Sequence, residues 1–270
     1  MQRMLTRVIS LTLTSRIGGV PQRTVHNMKK VSINKGLKEN KKHTLPSNLI
    51  ILAIEGNIGA GKSTILRCIE PALSPDVQIL MEPVDLFQEY KGTNPLKLFY
   101  ENPSKHAFFT QRHIIDSHCK HFSEQMQAKE PISVLLTERT LFSSIVFTNT
   151  LHKMGWLTEN EKEKLSEYSK QAITNMCPDA PMGAHYIFYI HEYPHVCKNR
   201  IEERGRQGEN AISCKYLSEL QNTYLNYCAS FKEKHGNFSL RIVPPTLSRQ
   251  EKEQELLDFI VNIKHKQQDV

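Results

Sequence analysis

No stretch of this 270-residue chain approaches the run of about 20 apolar residues that a membrane-spanning helix needs, so no helical span and no membrane partner is expected. Six cysteines (Cys68, Cys119, Cys177, Cys197, Cys214 and Cys228) are scattered without a CxxC pair. That spacing signals neither a zinc ribbon nor a disulfide framework, and the thiols are expected to be reduced. His118, Cys119 and His121 crowd one short segment, yet it reads as helical with no carboxylate partner at ligand spacing, so it does not signal a metal. There is no internal repeat. Acid is missing from the first 38 residues altogether: residues 1–44 hold ten Lys or Arg against Glu39 alone, a charge of +9. The whole chain carries +7, which leaves −2 for the remainder. The basicity therefore belongs to a leader, and a nucleic-acid partner loses its main support.

In that leader Arg3, Arg7 and Arg16 are spaced among Leu, Val, Ile, Ser and Thr, the composition of a mitochondrial transit peptide. A secretory signal fits less well, because the apolar run VISLTLT is interrupted and Arg16 follows it closely; a disordered basic tail is the alternative. Residues 45–270 are expected to form one domain. Short apolar runs at 49–54, 77–80, 132–137, 185–190 and 238–243 alternate with helical patterns, which predicts an α/β fold: a five-stranded parallel sheet with helices on both faces. The helical stretches are 96–129, then 141–175 broken near Gly155, then 249–266 with Leu256, Phe259, Ile260 and Ile263 on one face.

The chemistry starts at LIILAIEGNIGAGKST. An apolar strand enters a glycine-bracketed loop, Gly56 to Gly61, and a helix leaves it, the setting of a P-loop. Backbone N–H groups of Gly56, Asn57, Ile58, Gly59, Ala60, Gly61 and the helix start to Thr64 would surround phosphate oxygens. Lys62 would neutralise the β/γ region and the Ser63 hydroxyl would bind Mg²⁺. Glu82 follows the second strand; Glu138 and Arg139 follow the third. Strand ends of a doubly wound sheet converge on one crevice, so one carboxylate can take the proton of an attacking hydroxyl while the other helps hold metal.

GNIGAGKST, EPV, NPLKLFY through Gln111, ERT, and RIEERGRQGE followed by KYL occur together and in order between about residues 49 and 228. This set resembles the deoxyribonucleoside kinases, the group of deoxycytidine, deoxyguanosine and mitochondrial thymidine kinases and the insect multisubstrate enzyme. The resemblance implies a P-loop kinase fold with an Arg-rich lid, ATP with Mg²⁺, a small deoxynucleoside as acceptor, and a homodimer built on helices flanking the Gln111 and ERT regions. Glu82 would be the base for the nucleoside 5′-hydroxyl and Arg139 would lie beside it, while Glu138 would join Ser63 around Mg²⁺. Tyr100 and Glu209 would hold the sugar 3′-hydroxyl, and the Gln111 amide would read a base edge with one donor and one acceptor. Arg200, Arg204 and Arg206 of the lid would reach the triphosphate.

The chain departs from that pattern in the base pocket. Phe87 stands where the family commonly has Trp, and ERT replaces ERS. The run after it is one residue short, so either Phe147 shifts into the stacking role or Thr148 replaces it. His118 and Ser144 stand where purine-tolerant members carry Arg and Asp, and Ile114 is bulky, which points to a thymidine or pyrimidine pocket; His118 is polar enough to bind a purine substituent, so a deoxyguanosine or deoxyadenosine kinase is the alternative. P-loop nucleoside monophosphate kinases share sheet and lid but need extra cations for the acceptor phosphate. A non-catalytic nucleotide-binding protein would not need Lys62, Glu82, Glu138 and Arg139 together.

Overall fold

The strand that enters the P-loop is apolar at every position except its penultimate one, and in the computed structural model all seven of its residues are buried. This is β1 (Ile50–Gly56), the middle of a five-stranded sheet. The structure describes residues 48–126 and 132–268. The leader assigned to 1–44, and the last three residues of the helical stretch read over 96–129, lie outside the described residues.

The other strands are β2 (Val77–Leu80), β3 (Val134–Glu138), β4 (Tyr186–Ile190) and β5 (Leu240–Val243), in the order β2-β3-β1-β4-β5 with every pairing parallel. The fifth run is shorter than its apolar pattern because Asn237–Ser239 make a 3₁₀ turn first. Nine α-helices occur among the described residues. α1 (Lys62–Ile69) leaves the P-loop, and α2 (Val84–Gln88) follows the EPV turn. The region read as one helix from Leu96 is two, α3 (Pro95–Glu101) and α4 (Pro103–Met126). Pro103 has no N–H to donate and disfavours a helical residue before it, so the chain breaks at Asn102 and restarts with the proline in the first helical position. α5 (Leu141–Lys153) and α6 (Glu159–Met176) are separated at Gly155, φ 74°, and α6 opens on a capping box in which Thr158 and Glu161 satisfy each other's backbone N–H. α7 (Pro194–Arg204), α8 (Cys214–His235) and α9 (Arg249–Gln268) complete the layers.

Because side chains alternate across a strand, β1 feeds two cores. Ile50, Leu52 and Ile54 pack with Ile65, Leu66 and Ile69 of α1 and with Leu256, Ile260 and Ile263 of α9. Ile51 and Ala53 pack with Phe142 and Val146 of α5 and with Leu220 and Tyr224 of α8. Phe259, read as part of the apolar face of α9, is only partly buried. The parallel sheet thus sends the carboxyl ends of β1 and β3 and the turn after β2 to one edge, where the chain passes from the β2–β3 side to the β4–β5 side. Ligands of doubly wound sheets bind at such a switch point.

Candidate active site

The P-loop needs glycine where it touches its neighbours. A Cβ on Gly56 would lie 2.7 Å from the Ile190 carbonyl oxygen, and one on Gly59, φ 78°, would lie 2.5 Å from that of Cys197 in α7. Asn57 pins the loop from beneath: its Nδ2 donates to the Leu217 carbonyl at 2.8 Å and its Oδ1 accepts from Ile58 N–H at 2.9 Å. Lys62 is buried, its ammonium donating to the carbonyls of Asn57 (2.9 Å) and Gly56 (3.4 Å). Burial, with Arg139 adding, pulls the Lys62 pKa down to about 8 against the pull of Glu138, Glu82 and Glu55. Beside it the Ser63 hydroxyl donates to Glu138 Oε1 at 2.6 Å.

Arg139 follows β3 with φ 63°, a left-handed backbone that is costly for arginine. It is fastened on every side. Its N–H donates to the Ile54 carbonyl at 3.1 Å, and its carbonyl accepts from the Thr137 hydroxyl at 2.6 Å. The side chain, also buried, sets Nε 3.1 Å from Glu82 Oε1 and donates through Nη1 to the Tyr224 hydroxyl at 2.5 Å. Glu55 of β1 lies 3.8 Å from the same nitrogen. Fully buried, Glu55 accepts from the Ser143 hydroxyl (2.5 Å), the Tyr224 hydroxyl (3.1 Å) and the Thr140 N–H (3.2 Å). Burial raises its carboxyl pKa, opposed first by Arg139 and then by Ser143.

These groups open on a cavity of about 350 Å³ that runs from the P-loop to an apolar slot between α4 and α5. Gln111 is buried on α4 and donates through Nε2 to the Ser144 carbonyl at 3.2 Å, while the buried Ser144 hydroxyl has no hydrogen-bond partner among the described residues. Phe87 sits against His118, ring centroids 5.1 Å apart. Burial, then Arg139, pulls the His118 pKa down to about 3, so its imidazole is neutral at physiological pH. At the lid, Arg204 grips Glu209 Oε2 through Nη2 (2.7 Å) and Nε (3.2 Å), Arg206 stands 3.8 Å from the other oxygen, and Arg200 pairs with buried Glu192 at 3.1 Å. The lid arginines do not lie on one helix: α7 stops at Arg204 because Gly205 turns left-handed, φ 66°.

A sequence model of the family described as "Deoxynucleoside kinase" matches residues 52–264. The chain belongs to the deoxynucleoside kinase family. Among curated relatives of this family member, human "Thymidine kinase 2, mitochondrial" is 28% identical over 179 residues, 64% of this chain and 62% of the relative. "Probable deoxycytidine kinase" of fowlpox virus is 28% identical over 183 residues, 67% of this chain and 73% of the relative. "Deoxyguanosine kinase" of Dictyostelium discoideum is 26% identical over 216 residues, 79% and 70%. The match thus spans less than two thirds of the human relative's length.

The parallel sheet of this deoxynucleoside kinase family member is a P-loop kinase fold, and most of the site residues read from sequence line the one cavity. Gly56, Asn57 and Ala60 do not; they form the inner side of the P-loop. After ERT, helix phase sets Phe147 and Thr148 in different surroundings. Phe147 faces the cavity with the Arg139 guanidinium 5.1 Å from its ring, and Thr148 is fully buried away from it. Glu55, Ser143, Tyr224 and the Glu192–Lys252 pair (3.3 Å) are not among the residues expected from the sequence. A signal for Glu55 existed: a lone carboxylate closing an otherwise apolar central strand must be paired or cost several kcal/mol. None existed for Tyr224, one aromatic among many in a long helix.

Proposed function

We propose that this chain is an ATP-dependent kinase that transfers the γ-phosphoryl group to the 5′-hydroxyl of a deoxyribonucleoside, preferring pyrimidines. The observation that carries the reading is the single cavity in which buried Lys62, the Arg139–Glu82 pair and the Gln111 amide all open. The P-loop and Lys62 bind the donor phosphates. Glu82 accepts the proton of the attacking hydroxyl, and Arg139 orients that carboxylate and neutralises developing charge. Tyr100 and Glu209 position the sugar; burial keeps the Tyr100 hydroxyl protonated, well above its ordinary pKa, so it donates. Opening of the Glu209 grip on Arg204 frees a guanidinium for the triphosphate. Ser63 and Glu138 present oxygen donors 2.6 Å apart, a pair that suits Mg²⁺, and these residues would hold it. Bound there, it would supply charge neutralisation on the donor phosphates.

The narrow slot of Ile114, Phe87 and Phe147, with neutral His118 and Ser144 in place of a charged pair, supports a pyrimidine base. The acid-free leader and the mitochondrial name of the human relative support import into mitochondria. Family membership supports a homodimer. The test is ADP release by purified protein with each of the four deoxynucleosides in turn: turnover highest with thymidine or deoxycytidine is expected. No turnover with any of the four would overturn the proposal, and turnover only with purines would overturn the base preference.

A further inference from the structure

We infer that Glu55 is a positioning residue for Arg139: it acts on phosphoryl transfer through the arginine and touches no substrate. The inference rests on the kinase reading above for its activity readout, and on geometry for the rest. β1 alternation sends Glu55 to the face shared with Ile51 and Ala53, toward α5 and α8. There each carboxylate oxygen has its own task. Oε1 takes the N–H of Thr140, the residue after Arg139, and so holds the turn that puts Arg139 at φ 63°. Oε2 takes the hydroxyls of Ser143 and Tyr224, both of which also meet Arg139 Nη1, at 3.4 and 2.5 Å. Three donors converge on a carboxylate with no solvent exposure, an arrangement that an amide of equal size cannot satisfy. With Nη1 and the backbone both fixed, the guanidinium has one orientation left, the one that aims Nε at Glu82.

The spacing of parts explains why a strained arginine persists. A left-handed non-glycine residue survives only when its surroundings over-determine it, and here β1, α5 and α8 each contribute a contact. Misplacement of a catalytic group by about 1 Å can cost ~10²-fold in rate. Glu55→Gln is therefore expected to lower kcat by about 10- to 100-fold while the KM for ATP changes less than about twofold, with the melting transition still cooperative.

Two readouts separate positioning from a general loss of structure. In an Arg139→Ala background, Glu55→Gln should change kcat/KM by less than about twofold, because its route of action is gone. A loss equal to that in the wild-type background would overturn the inference. Independently of turnover, the Arg139 Nε–H resonance, assigned by its disappearance in Arg139→Lys, should be sharp and slow to exchange in the wild type and should be lost in Glu55→Gln. If it is unchanged there, the inference fails. Should Glu55→Gln not fold, Tyr224→Phe keeps the ring packing and removes the link; it should lower kcat about 3- to 10-fold and speed Nε–H exchange, and wild-type values for both would overturn the inference. A wild type inactive with every deoxynucleoside would sink the kinase proposal, while the resonance would still decide the role of Glu55.

Discussion

Glu82 and Glu138 open on one cavity but are held by different groups, Glu82 by Arg139 and Glu138 by the Ser63 hydroxyl. That difference predicts different failures. Glu82→Gln keeps the size of the side chain but cannot take a proton, and should lower kcat by ~10²- to 10⁴-fold, ~3–5 kcal/mol of barrier, with nucleoside affinity little changed. Glu138→Gln should instead raise the Mg²⁺ concentration needed for half-maximal rate. A Mg²⁺ titration of both variants checks the assignment: rescue of Glu82→Gln by excess metal, with Glu138→Gln indifferent, would mean the roles are reversed. Lys62→Ala should abolish turnover with the melting temperature nearly intact, since the ammonium's hydrogen bonds among the described residues go to carbonyls of its own loop; near wild-type turnover would refute the P-loop role. These residues were legible because their chemistry forces a spacing on the chain. Glu55 and Tyr224, 169 positions apart, are brought together by the fold alone, and no local pattern records such a contact.

Elements were legible where one force dominates. Short, mostly apolar runs marked the five strands, and the 3.6-residue periodicity marked α9, but the break between α3 and α4 depends on a single proline inside an otherwise helical pattern. The phase of α5 likewise had to be seen, because the register of Phe147 and Thr148 follows from where the turn after Arg139 lets the helix begin. Two element-level predictions follow from close contacts. Gly59→Ala would push a Cβ to 2.5 Å from the α7 backbone at a left-handed φ, and should cost of order 1–3 kcal/mol of stability while weakening ATP binding. Wild-type melting and ATP KM would contradict this. α9 is tied to the start of β2 by Lys264, which bonds both carboxylate oxygens of Asp76 at 2.7 and 2.9 Å, and Ser133 adds a third bond. Lys264, then Ser133, hold the Asp76 carboxyl well below the usual carboxylate range. A depressed pKa adds stability above the unfolded-state value that is lost as pH falls through the folded one. Lys264→Met should therefore cost about 0.5–1 kcal/mol at pH 7, a small figure because the pair is partly exposed, and the two proteins should converge in denaturant midpoint as acid protonates Asp76. A gap that persisted in strong acid would assign the loss to packing.

For the whole molecule, the cationic leader and the site are separable in sequence: the sheet begins at Ile50, and the site residues fall between Glu55 and Tyr224. Removing residues 1–44 should leave turnover intact and abolish mitochondrial import; a leader fusion that stays cytosolic in an import assay would refute the targeting role. The order of the sheet carries a further consequence, for the time course of folding. Among the described residues β1 is the first strand made and the central one, yet its partners come much later: Ile50 pairs with Val134 and Leu52 with Tyr186, 84 and 134 residues downstream. Ribosomes add about 5–20 residues per second, so β1 waits on the order of 7–27 s for β4 to be synthesised. Until β3 is made, after about 4–17 s, IILAIEG has neither neighbour, and until β4 follows one of its edges stays open. Loop closure over such separations makes sheet formation slow even once the chain is complete. The topology thus delays completion of the sheet until most of the chain has been synthesised, and an incompletely folded polypeptide is the form that can be threaded through a translocation pore.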